Sequence, residues 1–550
     1  MKATSNIFTA LAAGSGSFVS CALLAGQAAA APTLNAQVMA EDTFPLKTTV
    51  IAENMTPVIM HAQDENTARA KLEAFTRMTG KKPNILLYIM DDVGWGDLGC
   101  YGGGAMLGAP TPVMDSLARE GVMLTSAYAQ PSSSPTRATV LTGRLPVRHG
   151  ILLPTMYGED GGLKGEITIA QLLKESGYVT QAIGKWHVGE NTESQPQSVG
   201  FDDFYGFLSV SDMYTEWRDT NFYPEIALSE ARTKMVLNSG FETHLIHTTS
   251  KDNGGKYERV KEIDVQASKV MDTDLAEYGK NFILGMKNSK QPFFLYFGTR
   301  GAHFDNYPPP AFEGKSFSKS PYRDTMMELD HHLGTLIAAL EEIGELDNTI
   351  IFITSDNGPE MESWPDAGYS PFRGAKGSFL EGGQRVPGIA YWKGKIEGGR
   401  VLDGIFDLAD LYNTFATLGG AKLPTDRYID GIDQTSFLLG DSGQSNRKFM
   451  FYWNENTLSA VRCSEFKYHL RVYNDRPLDV VNNGGFSGTT GGGMRMFNLH
   501  LDPKEDRSYL IRKLIYRAAF GQGLAEHLAT FVKYPAKVPI ATKRYRDPPR

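Results

Sequence analysis

Continuous apolar runs alternate with amphipathic segments through the central part of the chain. The runs lie at Asn84–Met90, Val179–Ile183, Phe293–Phe297 and Ile350–Thr354, and such runs are typical of strands buried on both faces of a parallel sheet. Between them, Met326–Ile343 carries apolar residues at three- and four-residue steps, which predicts a helix with one buried face. Strands that alternate with helices predict an α/β domain with a large, mostly parallel, doubly wound sheet flanked by helices.

Capping signals place further helices between the predicted strands. Thr111–Pro112 begins a helix that ends at Gly121, and Thr168 caps a second helix that ends at Gly177. Both helices are long enough to connect neighbouring parallel strands, which supports the predicted fold class.

The pattern changes in the last part of the chain, residues 446–550. Short strand-like pieces at Phe449–Trp453 and Tyr468–Val472 are followed by the glycine-rich Asn482–Gly493, and a helical pattern lies near Tyr516–Phe531. This pattern of short strands predicts a small C-terminal subdomain with an antiparallel sheet.

The rest of the chain divides into three regions. Residues 81–445 form the main domain, and residues 31–80 form an N-terminal extension in which Asp64 is predicted to cap a helix that ends at Gly80. Residues 1–30 have the pattern of a cleaved signal peptide, so the mature protein is predicted to be periplasmic or secreted.

The signal-peptide interpretation depends on three features. Lys2 gives a positive start, Ile7–Leu24 is apolar with small residues, and small residues near Ala30 offer a cleavage site. The alternative is a lipoprotein anchored through Cys21, to which the preceding residues are a poor match. No later segment is long and apolar enough to span a bilayer.

The formal net charge of -8 excludes a broadly basic surface. No nucleic-acid or anionic-membrane partner is therefore predicted, although a local cationic pocket for an anionic substrate stays compatible with this charge. Cys100 and Cys463 remain after removal of a signal peptide, and they either pair or stay thiols because their spacing matches no disulfide framework.

Acidic pairs directly follow two of the predicted strands. Asp91 and Asp92 follow the first run, and Asp356 and Asn357 follow the last. Ligands of open α/β sheets bind beyond the carboxyl ends of the strands. Either pair alone is equally well explained as a turn or a helix cap. Two pairs with the same placement predict one site for a hard divalent cation, Ca²⁺ or Mg²⁺.

A second candidate segment begins at Ser133. Ser134 is predicted to cap a helix that has Pro135 in its first turn and ends at Gly143, so Ser133 would lie just before a helix N-terminus. Backbone amides and the helix dipole favour an anion there, and Arg137 adds a fixed positive charge. The segment alone is explained as well by an ordinary capped helix.

Cationic residues and histidines follow the other strands. Lys185 and His187 follow one strand at its carboxyl end, His303 follows another, and Lys376 lies in a later loop. Each of them alone is more often structural or solvated. Their shared placement with the acids and the serine predicts a single cleft.

These motifs together resemble the sulfatase family, within the alkaline phosphatase superfamily. They occur in the family's order across residues 82–390, and the ending Phe497–Leu510 is also similar to the family's small domain. The matching segments are Lys82–Ile85, Asp91–Asp97, Ser133–Arg144, Gly184–Gly189, Ser355–Gly358, Arg373–Lys376 and Glu381–Pro387.

The resemblance implies that a maturation enzyme oxidises Ser133 to formylglycine before export. It also implies that Ca²⁺ is held by Asp91, Asp92, Asp356 and Asn357, with the hydrated aldehyde at position 133 as a further ligand. Calcium is implied by the family, and Mg²⁺ is the alternative. Residues 81–445 would then be the catalytic domain.

The remaining roles are also implied by the resemblance. Arg137 would orient the hydrate that attacks sulfur, and Lys185 and Lys376 would neutralise the sulfate oxygens. His303, together with Lys376, would protonate the leaving oxygen, and His187 would take the proton that regenerates the aldehyde. The implied activity is hydrolysis of a sulfate monoester of an aryl or carbohydrate alcohol.

Two departures from the family pattern and two segments without a recognisable pattern remain. Ala302 precedes His303 where the family usually has proline, and Val113–Met114 stands where asparagine and an apolar residue are common. The loops Ser209–Asn221 and Ile246–Lys256 match no pattern. Aromatic residues in this part of the chain either line an aryl or sugar site or contribute to packing; they are Tyr214, Trp217 and Tyr223.

Two other functions are weighed beside the sulfatase interpretation. Unmodified Ser133 would suit a phosphate or phosphonate ester hydrolase of the same superfamily, and a sulfated-glycan-binding pseudoenzyme would keep the cationic cleft without turnover. A sulfatase needs the aldehyde, whereas the phosphate or phosphonate ester hydrolase does not. A sulfatase also forms product, whereas the pseudoenzyme only binds.

Overall fold

The computed structural model describes residues 43–44, 46–155, 162–224, 230–238, 240–473, 489–508 and 514–537. The predicted signal peptide lies outside these residues, as does the first part of the predicted N-terminal extension. Among the described residues, no helix is both long and apolar enough to cross a bilayer. No disulfide joins Cys100 to Cys463, although both are described.

The described strands, β1 to β17 in chain order, are Thr48–Thr49, Val58–Ile59, Asn84–Met90, Val122–Tyr128, Val179–Lys185, Asp203–Phe207, His244–Thr249, Tyr257–Glu262, Phe293–Gly298, Thr349–Ser355, Arg385–Tyr391, Arg400–Leu402, Phe406–Asp407, Phe449–Asn454, Thr457–Cys463, Phe466–Tyr473 and Thr489–Asn498.

The described α-helices, α1 to α12 in chain order, are Ala62–Thr79, Pro112–Glu120, Ser133–Thr142, Pro146–His149, Ile169–Glu175, Glu230–Asn238, Val265–Gly285, Pro321–Glu342, Glu381–Gln384, Asp410–Gly419, Thr435–Leu439 and Arg517–Lys533.

The main sheet has 11 strands, in the order β12-β4-β11-β10-β3-β9-β5-β6-β7-β8, with β13 also paired to β4. The central strands β10, β3, β9, β5 and β6 are parallel, whereas β11 and β7 run antiparallel to their neighbours. The prediction of a large, mostly parallel α/β sheet is confirmed.

The register of the central strands aligns their carboxyl ends. Ser355 of β10 lies beside Met90 of β3, and Gly298 of β9 lies beside both Ile89 of β3 and Gly184 of β5. The residues that follow these strands therefore emerge at one edge of the sheet, which is where the candidate site lies.

The sheet buries both faces, as its continuous apolar runs require. In β3, Ile85, Leu87 and Ile89 face one core, which includes residues of α3, α5 and α10. Leu86 and Tyr88 face the other core, which includes residues of α2, α7 and α8. Because helices cover both faces, the sheet is doubly wound.

The predicted helices agree with the structure except at two caps. α2, α5 and α8 form as expected, and Thr168 and Gln171 make a reciprocal capping box at the start of α5. However, α3 begins at Ser133 after Ser132, so Ser134 is not its cap. The prediction for Ser134 placed the helix start too late, and Ser133 lies in the first turn.

Asp64 does not cap α1, because the helix begins before it with His61 at the cap position. Its carboxylate is buried and accepts hydrogen bonds from the backbone amides of Asp441 and Ser442 at 3.0 and 3.1 Å. Asp64 is of a residue type that often caps helices, but here it holds a distant loop in place. The local sequence does not distinguish these two roles.

A separate sheet in the order β14-β15-β16-β17 is antiparallel, as predicted for the end of the chain. α12 packs on it through the buried Phe520. Residues 482–488 of the predicted glycine-rich linker lie outside the described residues, and β17 begins within that linker.

Candidate active site

The carboxyl edge of the main sheet brings the predicted site residues together. None of them is more than 6% exposed. They follow or end β3, β5, β9 and β10, begin α3, or precede β11, whose antiparallel direction returns its start to the same edge. These residues are Asp91, Asp92, Ser133, Arg137, Lys185, His187, His303, Asp356, Asn357 and Lys376.

Arg137 connects Ser133 to the acids. Its Nε donates to Ser133 Oγ at 3.0 Å and to Asp356 Oδ2 at 3.0 Å, and its Nη2 donates to the same carboxylate oxygen at 2.7 Å. Its Nη1 donates to the Tyr296 hydroxyl at 3.0 Å and to the Lys185 carbonyl at 3.2 Å. A planar guanidinium with these fixed partners holds the first turn of α3 in one orientation.

The hydroxyl of Ser133 also lies next to His187. Its Oγ is 3.2 Å from His187 Nδ1. Burial lowers the pKa of His187 well below its usual range, and the positive charges of Lys185 and Arg137 lower it further. A neutral imidazole beside the serine oxygen has the protonation state of a general base.

Asp91, Asp92 and His303 place ligand atoms within 4.8 Å of one another. The Nδ2 of Asn357 donates to Asp92 Oδ1 at 2.6 Å, which brings the amide to the same point. Among the described residues, no hydrogen-bond donor reaches Asp91 Oδ1 or Asn357 Oδ1, although both atoms are buried. Buried, unpaired oxygens of this kind fit a hard cation.

The acids also repel one another. Burial raises the pKa of Asp91 to about 8, and the nearby Asp356 adds to this while Lys185 opposes it. Burial likewise raises the pKa of Asp92. Burial raises the pKa of Asp356 too, but Arg137 and Lys185 lower it by more, so its pKa falls below the usual range. A divalent cation would relieve this repulsion.

Asp356 is positioned differently from the other acids. Its Oδ2 is taken by Arg137, and its Oδ1 accepts the backbone amide of Asp92 at 3.3 Å. The cluster of possible ligands instead includes His303, which sequence reasoning had assigned only to proton transfer.

Two lysines pair with different acids of the cluster. Lys185 Nζ pairs with Asp91 Oδ2, whereas Lys376 Nζ donates to Asp92 Oδ2 at 2.9 Å. Burial lowers the pKa of both lysines, but the carboxylates of Asp92 and Glu360 raise that of Lys376 by more. Lys376 therefore stays protonated, while Lys185 has the lowered pKa of a buried amine.

His303 completes the edge. Its Nδ1 is 2.6 Å from its neighbour's carbonyl oxygen, that of Phe304, and its Nε2 is 3.2 Å from Lys376 Nζ. A proton on Nδ1 leaves Nε2 to accept from the ammonium. Burial and the charge of Lys376 lower the pKa of His303 well below its usual range.

Sequence reasoning missed three residues of the site. Tyr296, which holds Arg137, is hidden within the apolar run of β9. Glu360 lies 3.7 Å from Lys376, and Asp212 Oδ1 lies 3.9 Å from His303 Nδ1. No sequence signal separates Glu360 or Asp212 from other loop acids.

Two of the loop aromatics contribute to packing. Tyr214 is 1% exposed, and its hydroxyl accepts the amide of Ser209 at 3.2 Å. Trp217 is buried and donates to the Met213 carbonyl at 3.1 Å. Tyr223 is only half-buried.

Comparison with known proteins decides the family. The Sulfatase family model matches residues 83–421, more than half of the chain. The chain belongs to the sulfatase family. A second family model, the “sulfatase AslA C-terminal domain”, matches residues 459–532 of this sulfatase.

Relatives cover most of the chain. N-acetylgalactosamine-6-sulfatase of Canis lupus familiaris is 34% identical over 400 residues, which cover 70% of this chain and 71% of the relative. Arylsulfatase A of Homo sapiens is 32% identical over 455 residues, covering 78% and 83%. The crystal structure of PsFucS1 sulfatase from Pseudoalteromonas sp. is 40% identical with a TM-score of 0.84, covering 89% and 99%. This sulfatase is a sulfuric ester hydrolase.

Proposed function

We propose that this sulfatase hydrolyses its sulfate monoester with formylglycine made from Ser133 and with a divalent cation at the acidic cluster. The observation that carries the proposal is the position of Ser133 Oγ. It contacts both Arg137 and the neutral His187, and the same Arg137 lies 3.9 Å from Asp91, whose Oδ1 has no hydrogen-bond partner among the described residues.

The donor set fits calcium, with magnesium as the alternative, because it consists of carboxylate and amide oxygens. Asp91, Asp92 and Asn357 would hold the ion, and Asp356, whose oxygens also accept from Arg137 and the Asp92 amide, would complete the set together with the group at position 133. The ion would polarise a sulfate oxygen, and formylglycine would supply a hydrated aldehyde as the nucleophile together with a route for its own regeneration.

The cations of the chain bind and orient the sulfate. Lys185 pairs with Asp91 and Lys376 pairs with Asp92, so both ammonium groups lie at the acidic cluster and would neutralise the oxygens of a sulfate bound there. Arg137, which contacts Ser133 itself, fixes the orientation of the nucleophile.

The two histidines serve different proton transfers. His187 accepts the proton at the oxygen of position 133, since its Nδ1 is 3.2 Å from that atom and its imidazole is neutral. On the other side, the protonated Lys376 delivers a proton to the leaving oxygen, and His303 orients this ammonium group by accepting from it at Nε2.

The relatives and the proposed nucleophile indicate a class of substrate and a maturation partner. The names of the two relatives describe sulfate on a sugar and on an aryl group, which supports a carbohydrate or aryl sulfate as substrate. A formylglycine-generating maturase is the expected transient partner, and the mature enzyme would act in the periplasm or outside the cell.

Mass spectrometry of the tryptic peptide Glu120–Arg137 tests the proposal, on protein produced in its native host. A peptide that is lighter by two hydrogens and is trapped by a carbonyl reagent is the expected result. An intact serine, with the native maturation machinery present, would refute the formylglycine mechanism and favour phosphoester hydrolysis or binding.

A further inference from the structure

The loop after β9 carries His303, and β3 with the residue after it holds the start of this loop at two points. The backbone amide of Thr299 donates to the Ile89 carbonyl at 3.0 Å, and the amide of Ala302 donates to the Asp91 carbonyl at 3.1 Å. The two amides between these points are buried and need other acceptors.

Asp272 of α7 accepts from both of the intervening amides. Its Oδ1 accepts from the amide of Arg300 at 2.8 Å, and its Oδ2 accepts from the amide of Gly301 at 2.9 Å. Burial raises the pKa of Asp272, while these two hydrogen bonds oppose the shift by favouring the charged form. One carboxylate therefore fixes two successive peptide groups of the loop.

The same loop lies tightly against α8. A Cβ added at Gly301 would lie 2.3 Å from Thr325 Cγ2 and 3.3 Å from Asp272 Oδ2, so only a residue without a side chain fits there. Further along, Arg300 Nη2 donates to the Asp305 carbonyl. The loop is thus held at its start by Asp272 and closed by a side chain of its own.

Hydrogen bonds, and not a proline ring, restrict the backbone before His303. Ala302 stands at the position directly before the histidine. A proline there would fix its own φ but would have no amide to donate, whereas Ala302 donates to the Asp91 carbonyl. The conformation of this segment therefore depends on acceptors from other elements, and Asp272 provides two of them.

The position of this loop determines one contact of the proposed proton donor. His303 Nε2 lies 3.2 Å from Lys376 Nζ, and Lys376 is also held by Asp92 Oδ2 at 2.9 Å. A shift of the loop by about 1 Å would take the histidine out of hydrogen-bond range. The ammonium group would then keep its carboxylate partner but lose the acceptor that orients it.

We propose that Asp272 is a positioning residue of this sulfatase. By holding the backbone of Arg300 and Gly301, it keeps His303 where Nε2 orients the Lys376 ammonium group toward the leaving oxygen. This inference rests on the proposed roles of His303 and Lys376. It adds a residue of α7, without contact to the substrate, on which protonation of the leaving group depends.

The leaving group provides the test. An acidic phenol such as 4-nitrophenol departs with little help from a general acid, whereas unsubstituted phenol needs protonation. We would measure kcat/KM by sulfate release from 4-nitrophenyl sulfate and phenyl sulfate, for the wild type, Asp272→Asn and the control Asp274→Asn. Asp274 lies on the same helix, but its side chain is 37% exposed and pairs with Lys261.

Asp272→Asn should lower kcat/KM for phenyl sulfate about 100-fold and that for 4-nitrophenyl sulfate by much less. Asparagine keeps one acceptor oxygen but turns an N–H toward the second amide, so the loop should shift. Asp274→Asn should match the wild type. His303→Gln should show the same dependence on the leaving group, and adding Asp272→Asn to it should have little further effect.

A merely structural role predicts a different result. Loss of folded enzyme would lower the rate equally for both esters, and an equal fall would overturn the proposal, as would full additivity of Asp272→Asn with His303→Gln. Thermal unfolding verifies that each variant folds. If Asp272→Asn does not fold, Asp272→Glu, which keeps the carboxylate but displaces it by one methylene, replaces it in the same comparison.

The two proposals fail separately. Hydrolysis of both esters without a leaving-group effect in the variant rejects the positioning role alone. A wild type that releases no sulfate counts against the proposed mechanism, and hydrogen exchange mass spectrometry of residues 300–302 then decides whether Asp272 holds the loop. Exchange as slow as in β9 that becomes faster in Asp272→Asn supports it, and rapid exchange in the wild type refutes it.

Discussion

At the scale of single residues, the site is defined by buried oxygens without donors. Asp91 Oδ1 and Asn357 Oδ1 have no hydrogen-bond partner among the described residues, and burial raises the pKa of Asp91 to about 8. In a protein without a ligand, such groups oppose folding. A cation that binds these unpaired oxygens, as proposed, would therefore also stabilise the fold.

Calcium should raise the melting temperature of the wild type relative to EGTA. At a free concentration 100 times Kd, the expected stabilisation is about 2.7 kcal/mol. Asp91→Asn removes one charged ligand and should abolish most of this increment. The measurement is thermal unfolding by circular dichroism, with magnesium run in parallel.

The control for this measurement is Asp252→Asn. The Asp252 side chain is 86% exposed, so this variant should keep the full calcium increment. An unchanged increment in Asp91→Asn would show that calcium binds elsewhere.

The residue scale also shows what sequence could predict. Every residue that follows a buried strand could be placed at the sheet edge, because strand ends are visible as the end of an apolar run. Tyr296 could not, since its hydroxyl lies inside such a run and only the fold turns it toward Arg137. The cap predictions for Asp64 and Ser134 were wrong because capping residues are recognised by type, whereas the actual helix start depends on tertiary contacts.

At the scale of elements, β9 sets the distance between the sheet and Arg137. An added Cβ at Gly298 would lie 2.8 Å from Arg137 Nη1 and 2.8 Å from the Lys185 carbonyl oxygen. Both contacts are too short for a carbon atom, so the glycine is what allows the guanidinium to approach β9.

Gly298→Ala should therefore shift Arg137 away from Ser133. We expect kcat to fall about 100-fold, because small misplacements near the nucleophile have effects of that order. The protein should also lose about 1–3 kcal/mol of stability from overpacking. Steady-state kinetics with 4-nitrophenyl sulfate and urea unfolding measure the two effects.

Gly285→Ala is the matched control. Gly285 ends α7, and a Cβ added there would have no neighbouring atom within 4 Å, so alanine should be neutral or slightly stabilising. Full activity in Gly298→Ala would mean that the position of Arg137 is less critical than its contacts indicate.

Only the most apolar strands of the main sheet could be recognised from the sequence. The runs that became β3, β5, β9 and β10 were recognised with bounds within two residues. β4, β7, β11 and the edge strand β8 were not recognised, because their apolar residues are fewer or are interrupted by polar or charged residues or by glycine. β8 is exposed along its whole length and carries no burial signal.

At the scale of the whole molecule, buried charges join the C-terminal sheet to the main domain. Lys467 of β16 lies 3.1 Å from Glu381 Oε1 of α9 and 3.0 Å from Glu505 Oε1, and His469 lies 2.7 Å from the same Glu505 oxygen. Burial raises the pKa of Glu505, but Lys467 and His469 lower it by more, to about 2.

The contribution of Glu505 to stability should therefore be lost on acidification. A carboxyl group whose folded pKa lies below its unfolded value, about 4.5, stabilises the fold above that value and loses this contribution as the pH falls toward 2. The shift corresponds to about 3 kcal/mol. Urea unfolding of the wild type between pH 7 and pH 2 measures how the free energy of unfolding depends on pH.

Glu505→Gln should be less stable than the wild type at pH 7, and the difference should close as the pH approaches 2. Glu341→Gln, at an exposed position of α8, should follow the wild-type curve throughout. Parallel curves for Glu505→Gln and wild type would show that this carboxyl group does not contribute the acid dependence.

The strand order also determines when, during synthesis of the chain, Ser133 becomes buried. β3 lies between β9 and β10, so the edge that buries Ser133 is incomplete until β10 and the loop with Lys376 have been made. At about 5–20 residues per second, synthesis of the intervening chain takes roughly 10–50 s. During that interval Ser133 would be accessible to the proposed converting enzyme. Once the sheet has formed, an unconverted Ser133 would be buried in a folded molecule that lacks the proposed nucleophile.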